Sequence, residues 1–184
     1  MRIIAGEFRN RKLLPPIGDR TRPITDRVKQ SVFDILTPWL ENAVVYDLFA
    51  GTGSLGLECL SRGAKCATFF ESDHSAVGLL KKNIAALGLD RRATIVPADL
   101  FRWFADGNLS GRADLVFLDP PYRFLSERAE DLKSLGAHLA AEHLSPDGWV
   151  VFRHDIADSL TMADLKLRDV RDYGSMRLEF LGGA

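Results

Sequence analysis

Three glycines at Gly51-x-Gly53-x-x-Gly56, following the apolar run Val44-Val45-Tyr46, leave this chain few folds to choose from. Behind them Leu55-Gly56-Leu57-Glu58-Cys59-Leu60 repeats apolar residues at helical spacing, so the stretch predicts a strand, a tight turn and a helix. Glycine suits such a turn because a backbone without Cβ takes positive φ and lets a ligand approach the main chain. The amides that open the next helix favour an anionic or polar group. The spacing is that of a dinucleotide fingerprint, and Glu71 ends a second apolar strand about twenty residues on, where that motif places its ribose-binding acid. A nicotinamide dinucleotide is one candidate ligand.

Asp47 favours another. A carboxylate closes the strand and Phe49-Ala50 separate it from the first glycine, whereas a pyrophosphate groove wants the glycine almost directly after the strand and is repelled by an anion. A carboxylate suits a cationic ligand with an amino-acid tail. S-adenosyl-L-methionine carries a sulfonium and an ammonium and no phosphate, and Asp47, Gly51 and Gly53 resemble the first motif of Rossmann-like methyltransferases, with Glu71 accepting from ribose hydroxyls. On this segment alone both ligands stay open, as does a turn that serves packing only.

The 184 residues suit one domain with a small appendage. No apolar run approaches a membrane span and the N-terminus lacks a signal peptide's apolar centre, so the expected location is cytoplasmic and no membrane partner is expected. Cys59 and Cys66 form no CxxC pair, which predicts buried, reduced thiols, no disulfide framework and no metal site. A formal net charge of -1 hides an asymmetry. Residues 1–30 hold eight Lys/Arg against three Asp/Glu, leaving 16 against 22 for the remainder. A basic arm on an acidic body suits a polyanionic partner, or a solvated terminal face.

Residues 2–6 and 8–14 read as a small β-hairpin stopped by Pro15-Pro16. Residues 18–23 read as a loop, and Thr25-Asp26 cap a helix running to Pro38. From Val44 strand and helix alternate: strands at 67–70, 94–96, 113–118 and 148–152, helices at 75–87, near Leu100 to Phe104 and at 126–143, and a closing hairpin of 166–170 with 176–181. Such alternation predicts a doubly wound α/β sheet with ligands at the carboxyl ends of its strands. Asp47, Glu71, Asp99 and Asp119 all fall at such ends. His74, His138 and His143 lie on predicted helices and read as surface residues, while His154 has no assigned role.

The fourth strand stops at Asp119-Pro120-Pro121-Tyr122. Two prolines fix a rigid loop, since each sets φ and neither donates a hydrogen bond. An exocyclic base amine is a poor nucleophile because its lone pair is delocalised into the ring. The Asp119 carboxylate and the Pro120 carbonyl, accepting from its two N–H groups, would favour the pyramidal nitrogen that attacks a methyl group. Pro121 and Tyr122 offer an apolar wall and a ring for a flipped-out base. The work is positioning and electrostatics.

DLFAGTGSLGLE, FFESD and LVFLDPPY, together with MRIIAGEFRNRKL and TRPITDRVKQSVFDIL, resemble the bacterial small-subunit ribosomal RNA (guanine-N(2))-methyltransferase family called RsmD, across nearly the whole chain. The resemblance implies a Rossmann-like seven-stranded sheet as a methyltransferase domain at 41–184, with a basic RNA-binding extension of hairpin and helix at 1–40. It implies S-adenosyl-L-methionine as cofactor, a guanine of small-subunit rRNA as substrate, in an assembled or partly assembled 30S particle, and a monomeric enzyme. By it, Asp47, Gly51 and Gly53 take the methionine end of the cofactor and its turn, Glu71 the ribose, and Asp99 the adenine amine with Leu100 beside it, while Phe49 and Ser72 are further cofactor-binding residues. Asp119, Pro120, Pro121 and Tyr122 take the target amine, and Arg9, Arg11, Lys12, Arg22 and Arg27 are the candidate RNA-phosphate contacts. The alternatives are a DNA or RNA adenine amine methyltransferase, an NAD-dependent oxidoreductase, and a non-enzymatic ribosome assembly factor that uses the basic arm.

Overall fold

Alternating apolar side chains on short strands build the centre of the molecule. In the computed structural model, which describes residues 1–16, 24–108 and 111–183, seven strands form one sheet. They are β1 (Val44–Leu48), β2 (Cys66–Phe70), β3 (Ala93–Val96), β4 (Ala113–Leu118), β5 (Leu144–Asp155), β6 (Leu165–Tyr173) and β7 (Met176–Gly183). Their spatial order is β3-β2-β1-β4-β5-β7-β6. The first five are parallel, and β7 runs antiparallel between β5 and β6. This is the expected Rossmann-like α/β sheet.

Side chains of successive strand residues leave the sheet on opposite faces, and each face collects its own helices. Val45, Leu115, Phe117 and Val151 face α1 (Asp26–Leu36), α2 (Ser54–Ser61) and α3 (His74–Leu87), together with Ile3 and Leu13 of the N-terminal arm. Tyr46, Leu48, Val116, Leu118 and Phe152 face α4 (Leu100–Ala105), α5 (Phe124–Glu127) and α6 (Ala129–His138). Phe33 of α1 meets Phe117 of β4 at 5.9 Å between ring centroids, both almost fully buried. Burying one such ring contributes about 1.5–3 kcal/mol. Helix starts follow their caps: the side chains of Thr25, Asp73 and Asp99 accept from the amides of Val28, Ala76 and Phe101. Gly88, at φ 69°, closes α3 in the left-handed conformation that glycine tolerates best.

Four local expectations change. The helix foreseen at 126–143 is α5, α6 and a π-helical turn, Leu139–His143. The break falls at Arg128, whose backbone leaves the helix at φ -133°, ψ 34° while its guanidinium bonds Asp131 and Asp99. The strand foreseen at 148–152 runs from Leu144 to Asp155. The N-terminal hairpin is short: Arg2 bridges Lys12, the amides of Ile3 and Leu13 donate to the carbonyls of Arg11 and Met1, and the amides of Ile4 and Ala5 turn instead to the Glu58 carboxylate at 2.8 and 3.0 Å. Of the two free cysteines, Cys59 is buried but Cys66 is partly exposed. The loop foreseen at 18–23 lies outside the described residues. Among those described, no helix is long and apolar enough to cross a membrane.

Glu58 is fully buried, and Lys29 Nζ and Arg62 Nε pair with it at 2.9 and 2.8 Å. Lys29 also donates to the carbonyls of Arg2 and Ser54. The arm and α1 are thereby fastened to α2, the helix that leaves the glycine turn. Breaking such a buried pair by removing one partner costs about 3–5 kcal/mol, because the other charge is left without compensation.

Candidate active site

Strand order reverses between β1 and β4, and in open parallel sheets ligands bind at the carboxyl ends beside that reversal. Asp47, next to last in β1, and Asp119, directly after β4, flank it. Asp47 pairs in register with Phe117, so its side chain leaves on the α2 face. Its Oδ2 accepts the Gly56 amide at 2.8 Å. Gly56 makes that approach possible, since a Cβ there would lie 2.4 Å from a Phe69 ring carbon and 3.1 Å from Asp47 Oδ2. Asp47 is only 2% exposed. Burial pushes its carboxyl up to about 8 despite the Gly56 amide, and Asp119 and Glu71 add to the rise. A buried acid beside two further acids is a place where a cationic ligand is favourable. That donor set fits the sulfonium and ammonium of S-adenosyl-L-methionine.

The glycine turn is already engaged. Glu71, just past β2, accepts the Gly51 amide at 2.8 Å through one oxygen and the Asp73 amide at 2.7 Å through the other. A pyrophosphate would have to compete with Glu71 for Gly51 and would meet Asp47 as well, so the site is ill suited to a dinucleotide. Gly51 lies at φ 55°, left-handed backbone with open space where a Cβ would stand. Glycine is required there by the turn itself.

Phe49 also has positive φ, 61°, a strained setting for a bulky residue and one that recurs at functional sites. Its ring meets Phe101 of α4 and Phe124 of α5, each at 5.8 Å. The Arg128 guanidinium lies 4.0 Å from the Phe101 ring centroid and 3.4 Å from Asp99. Asp99 is exposed and caps α4, Leu100 is buried beneath it, and Ser72 is exposed beside Glu71. Asp47, Phe49, Gly51, Glu71 and Asp99 thus share one rim, and Phe101, Phe124 and Arg128 complete its wall.

Across the reversal, Asp119 Oδ1 receives Arg153 Nε of β5 at 2.6 Å. Burial raises the Asp119 carboxyl and Arg153 pulls it back down, burial prevailing. The Asp119-to-Tyr122 loop turns straight into α5: Phe124 and Leu125 donate to the carbonyls of Pro121 and Tyr122 at 2.8 and 3.1 Å. The Pro120 carbonyl is not used to close that turn. Pro120 is buried, Tyr122 half-buried and Pro121 exposed.

The candidate RNA contacts divide. Arg9, Arg11 and Lys12 are exposed, but Arg11 donates to the Ala86 carbonyl in the last turn of α3, and α3 returns to the amino ends of the strands. Arg27 is exposed in the first turn of α1, where its neighbour Lys29 reaches Ser54 at the start of α2. Arg22 lies outside the described residues. His74 is exposed and His138 partly so, but His143, expected at the surface, is buried against Phe104 with 5.1 Å between centroids, and burial lowers its pKa. His154 is buried too, with Nδ1 2.8 Å from the Asp155 carbonyl and Nε2 3.5 Å from Glu179, an ion-pair distance too long for a good hydrogen bond.

Arg153, Arg128, Phe101 and Phe124 escape a reading by motif. The signal for Arg153 is positional: it follows the apolar Val150-Val151-Phe152 at a carboxyl end, where a charge is unusual unless it is paired.

A family model described as Conserved hypothetical protein 95 matches residues 1–182. The YlbH protein of Bacillus subtilis (strain 168), which carries an rRNA-methyltransferase name, is 36% identical over 179 residues, 95% of this chain and 94% of its own length. Ribosomal RNA small subunit methyltransferase D of Haemophilus influenzae is 40% identical over 134 residues, 72% of this chain and 69% of its own length. Among solved structures, the Escherichia coli protein yhhF, which carries a methyltransferase name, superposes with a TM-score of 0.83 at 31% identity, covering 100% of this chain and 97% of that one.

Proposed function

The chain belongs to the RsmD-type family of conserved hypothetical protein 95, and on that footing we propose that it is an S-adenosyl-L-methionine-dependent methyltransferase acting on the exocyclic 2-amino group of a guanine in small-subunit ribosomal RNA. The observation that carries the reading is the facing of two carboxylates across the strand reversal: Asp47 buried in the glycine turn, and Asp119 held by Arg153 at the head of a proline-fixed loop.

S-adenosyl-L-methionine, when bound, supplies an electrophilic methyl group on a sulfonium that leaves as a thioether with the C–S electron pair. Asp47 offers its positive end a carboxylate out of water, where such an interaction is far stronger than in bulk. Glu71, already accepting two amides, has lone pairs left for ribose hydroxyls. Phe49, Asp99 and Leu100 bound the adenine side. Asp119 accepts one N–H of the guanine amine and the Pro120 carbonyl the other, localising the nitrogen lone pair for attack. Tyr122 supplies a ring for a base turned out of its stack. After transfer the surplus N–H proton passes to solvent, with Asp119 the nearest carboxylate to relay it.

The RNA is presented in an assembled or partly assembled 30S particle and the enzyme works as a monomer; Arg27, exposed in the first turn of α1, is a candidate phosphate contact. The test is to incubate the protein and labelled cofactor with small subunits from cells lacking the modification, with free rRNA and duplex DNA in parallel, and to identify the methylated nucleoside by mass. Methyl on guanine N2 is expected. Methyl on adenine would keep the chemistry and discard the substrate, and no transfer to any nucleic acid would overturn the reading.

A further inference from the structure

Leu118 and Phe152 are the last registered pair of β4 and β5, so Asp119 and Arg153 are the next neighbours beyond it. By alternation both side chains leave on the face that carries Asp47, Phe117 and Val151. They meet at 2.6 Å, with the Arg153 side chain 10% exposed and that of Asp119 20%. Arg153 is held from its far side as well, since its backbone pairs with Leu178 of β7. A guanidinium on a strand between two neighbours is a fixed object, unlike the same group on a loop.

We infer that Arg153 is a positioning residue for methyl transfer: it holds Asp119 as an ionised, acceptor-only carboxylate and fixes the plane of that carboxylate toward the target amine. The inference rests on the functional reading above. Its physical need is plain from the surroundings. Among the described residues, the ionisable groups about Asp119 are Arg153 from β5 and Asp47 from β1, the latter flanked by Glu71 and, more distantly, Lys29 of α1. Of these described groups the near charges apart from Arg153 are acids, and burial favours a protonated Asp119. A protonated carboxyl presents an O–H donor to an amine that needs acceptors, and the nitrogen lone pair is no longer localised for attack.

The experiment compares wild type, Arg153→Lys, Arg153→Met and the Asp119→Asn background, using small subunits and S-adenosyl-L-methionine. Arg153→Met should lower kcat about 100-fold near pH 7, the size seen when one preorganised electrostatic partner is lost, with cofactor affinity changed less than about threefold. Its activity should recover as pH rises and Asp119 ionises again. Arg153→Lys, which keeps the charge but loses the planar fork, should restore about tenfold of the loss. In the Asp119→Asn background, which has no proton to lose, Arg153→Met should cost less than about threefold, a non-additivity that marks direct coupling. An unchanged kcat in Arg153→Met would overturn the inference. So would a loss that pH and lysine leave untouched, or one matched by lost cofactor affinity and additive with Asp119→Asn. Failure of the wild type to methylate guanine would instead bring down the functional reading, and Arg153's role with it.

Discussion

Asp47→Asn tests the charge logic of the cofactor pocket most directly. Burial and two neighbouring acids push the Asp47 carboxyl up to about 8, so below that pH the ligand-free pocket holds a proton that a cationic ligand must displace. A carboxyl of pKa about 8 is ionised to about 1% at pH 6 and about 24% at pH 7.5. If the ionised form is the binding form, affinity for S-adenosyl-L-methionine rises about 25-fold over that interval, or about 2 kcal/mol at 1.36 kcal/mol per unit. The cofactor's own amino group, with a pKa near 8 for groups of its kind, stays largely protonated in this window. Titration calorimetry at pH 6, 6.5, 7 and 7.5, in two buffers of different ionisation enthalpy, reads both the slope and the proton released on binding. Wild type should release nearly one proton at pH 6, whereas Asp47→Asn should release none and bind with a flat profile. The linkage also runs through folding. A carboxyl whose pKa is raised in the folded state opposes folding once the unfolded chain ionises near pH 4, and increasingly so up to about pH 8. Asp47→Asn should therefore stabilise the ligand-free protein by up to about 4 kcal/mol more at pH 8 than at pH 5. A flat wild-type profile, or a slope that survives in Asp47→Asn, would refute the reasoning.

Three further outcomes follow from the geometry. Asp119→Ala should lower kcat by about 10²–10³-fold while leaving cofactor affinity near that of wild type, because the residue serves the amine and not the cofactor; calorimetry beside single-turnover transfer checks it. Glu58→Gln strands the buried Lys29 ammonium and frees the Ile4 and Ala5 amides, and should cost about 3–5 kcal/mol in denaturant unfolding, with hydrogen exchange of residues 1–14 accelerated. Gly56→Ala drives a methyl into the Phe69 ring and should destabilise by about 1–3 kcal/mol while weakening the Asp47 contact, seen as a lower unfolding midpoint together with poorer cofactor binding.

Much of this site could be read before any coordinates because it is carried by local chemistry. Gly51 is set by a left-handed turn, and Asp47, Glu71 and Asp119 by their place at the end of an apolar run. Each needs only its own segment to be recognised. What could not be read depends on partners far along the chain. Arg153 is legible only once β4 and β5 are known to be neighbours and their register is fixed. Lys29 and Glu58 look like solvated helix charges until α1 is laid on α2, where each is the reason the other is buried. His143 is misread for a related cause: it follows the exposed Ala141 and Glu142, and only in the π-helical turn does its own ring pack inward against Phe104. The break at Arg128 carries no proline or glycine to announce it, and it forms where the side chain bonds Asp99 and Asp131. Sequence periodicity speaks for faces and loses force where an ion pair overrides it.

The placing of β7 between β5 and β6 bears on how the molecule is made. During synthesis β6 emerges before the strand that joins it to the sheet, so until residues 176–183 exist β5 keeps an open edge and residues 165–173 have no strand to pair with. An open edge is where unrelated chains add on, and a long-range pairing closes slowly because loop entropy must be overcome first. Arg153 stands on that unfinished strand. The edge of β5 that carries Arg153 is therefore covered only once residues 176–183 have been made.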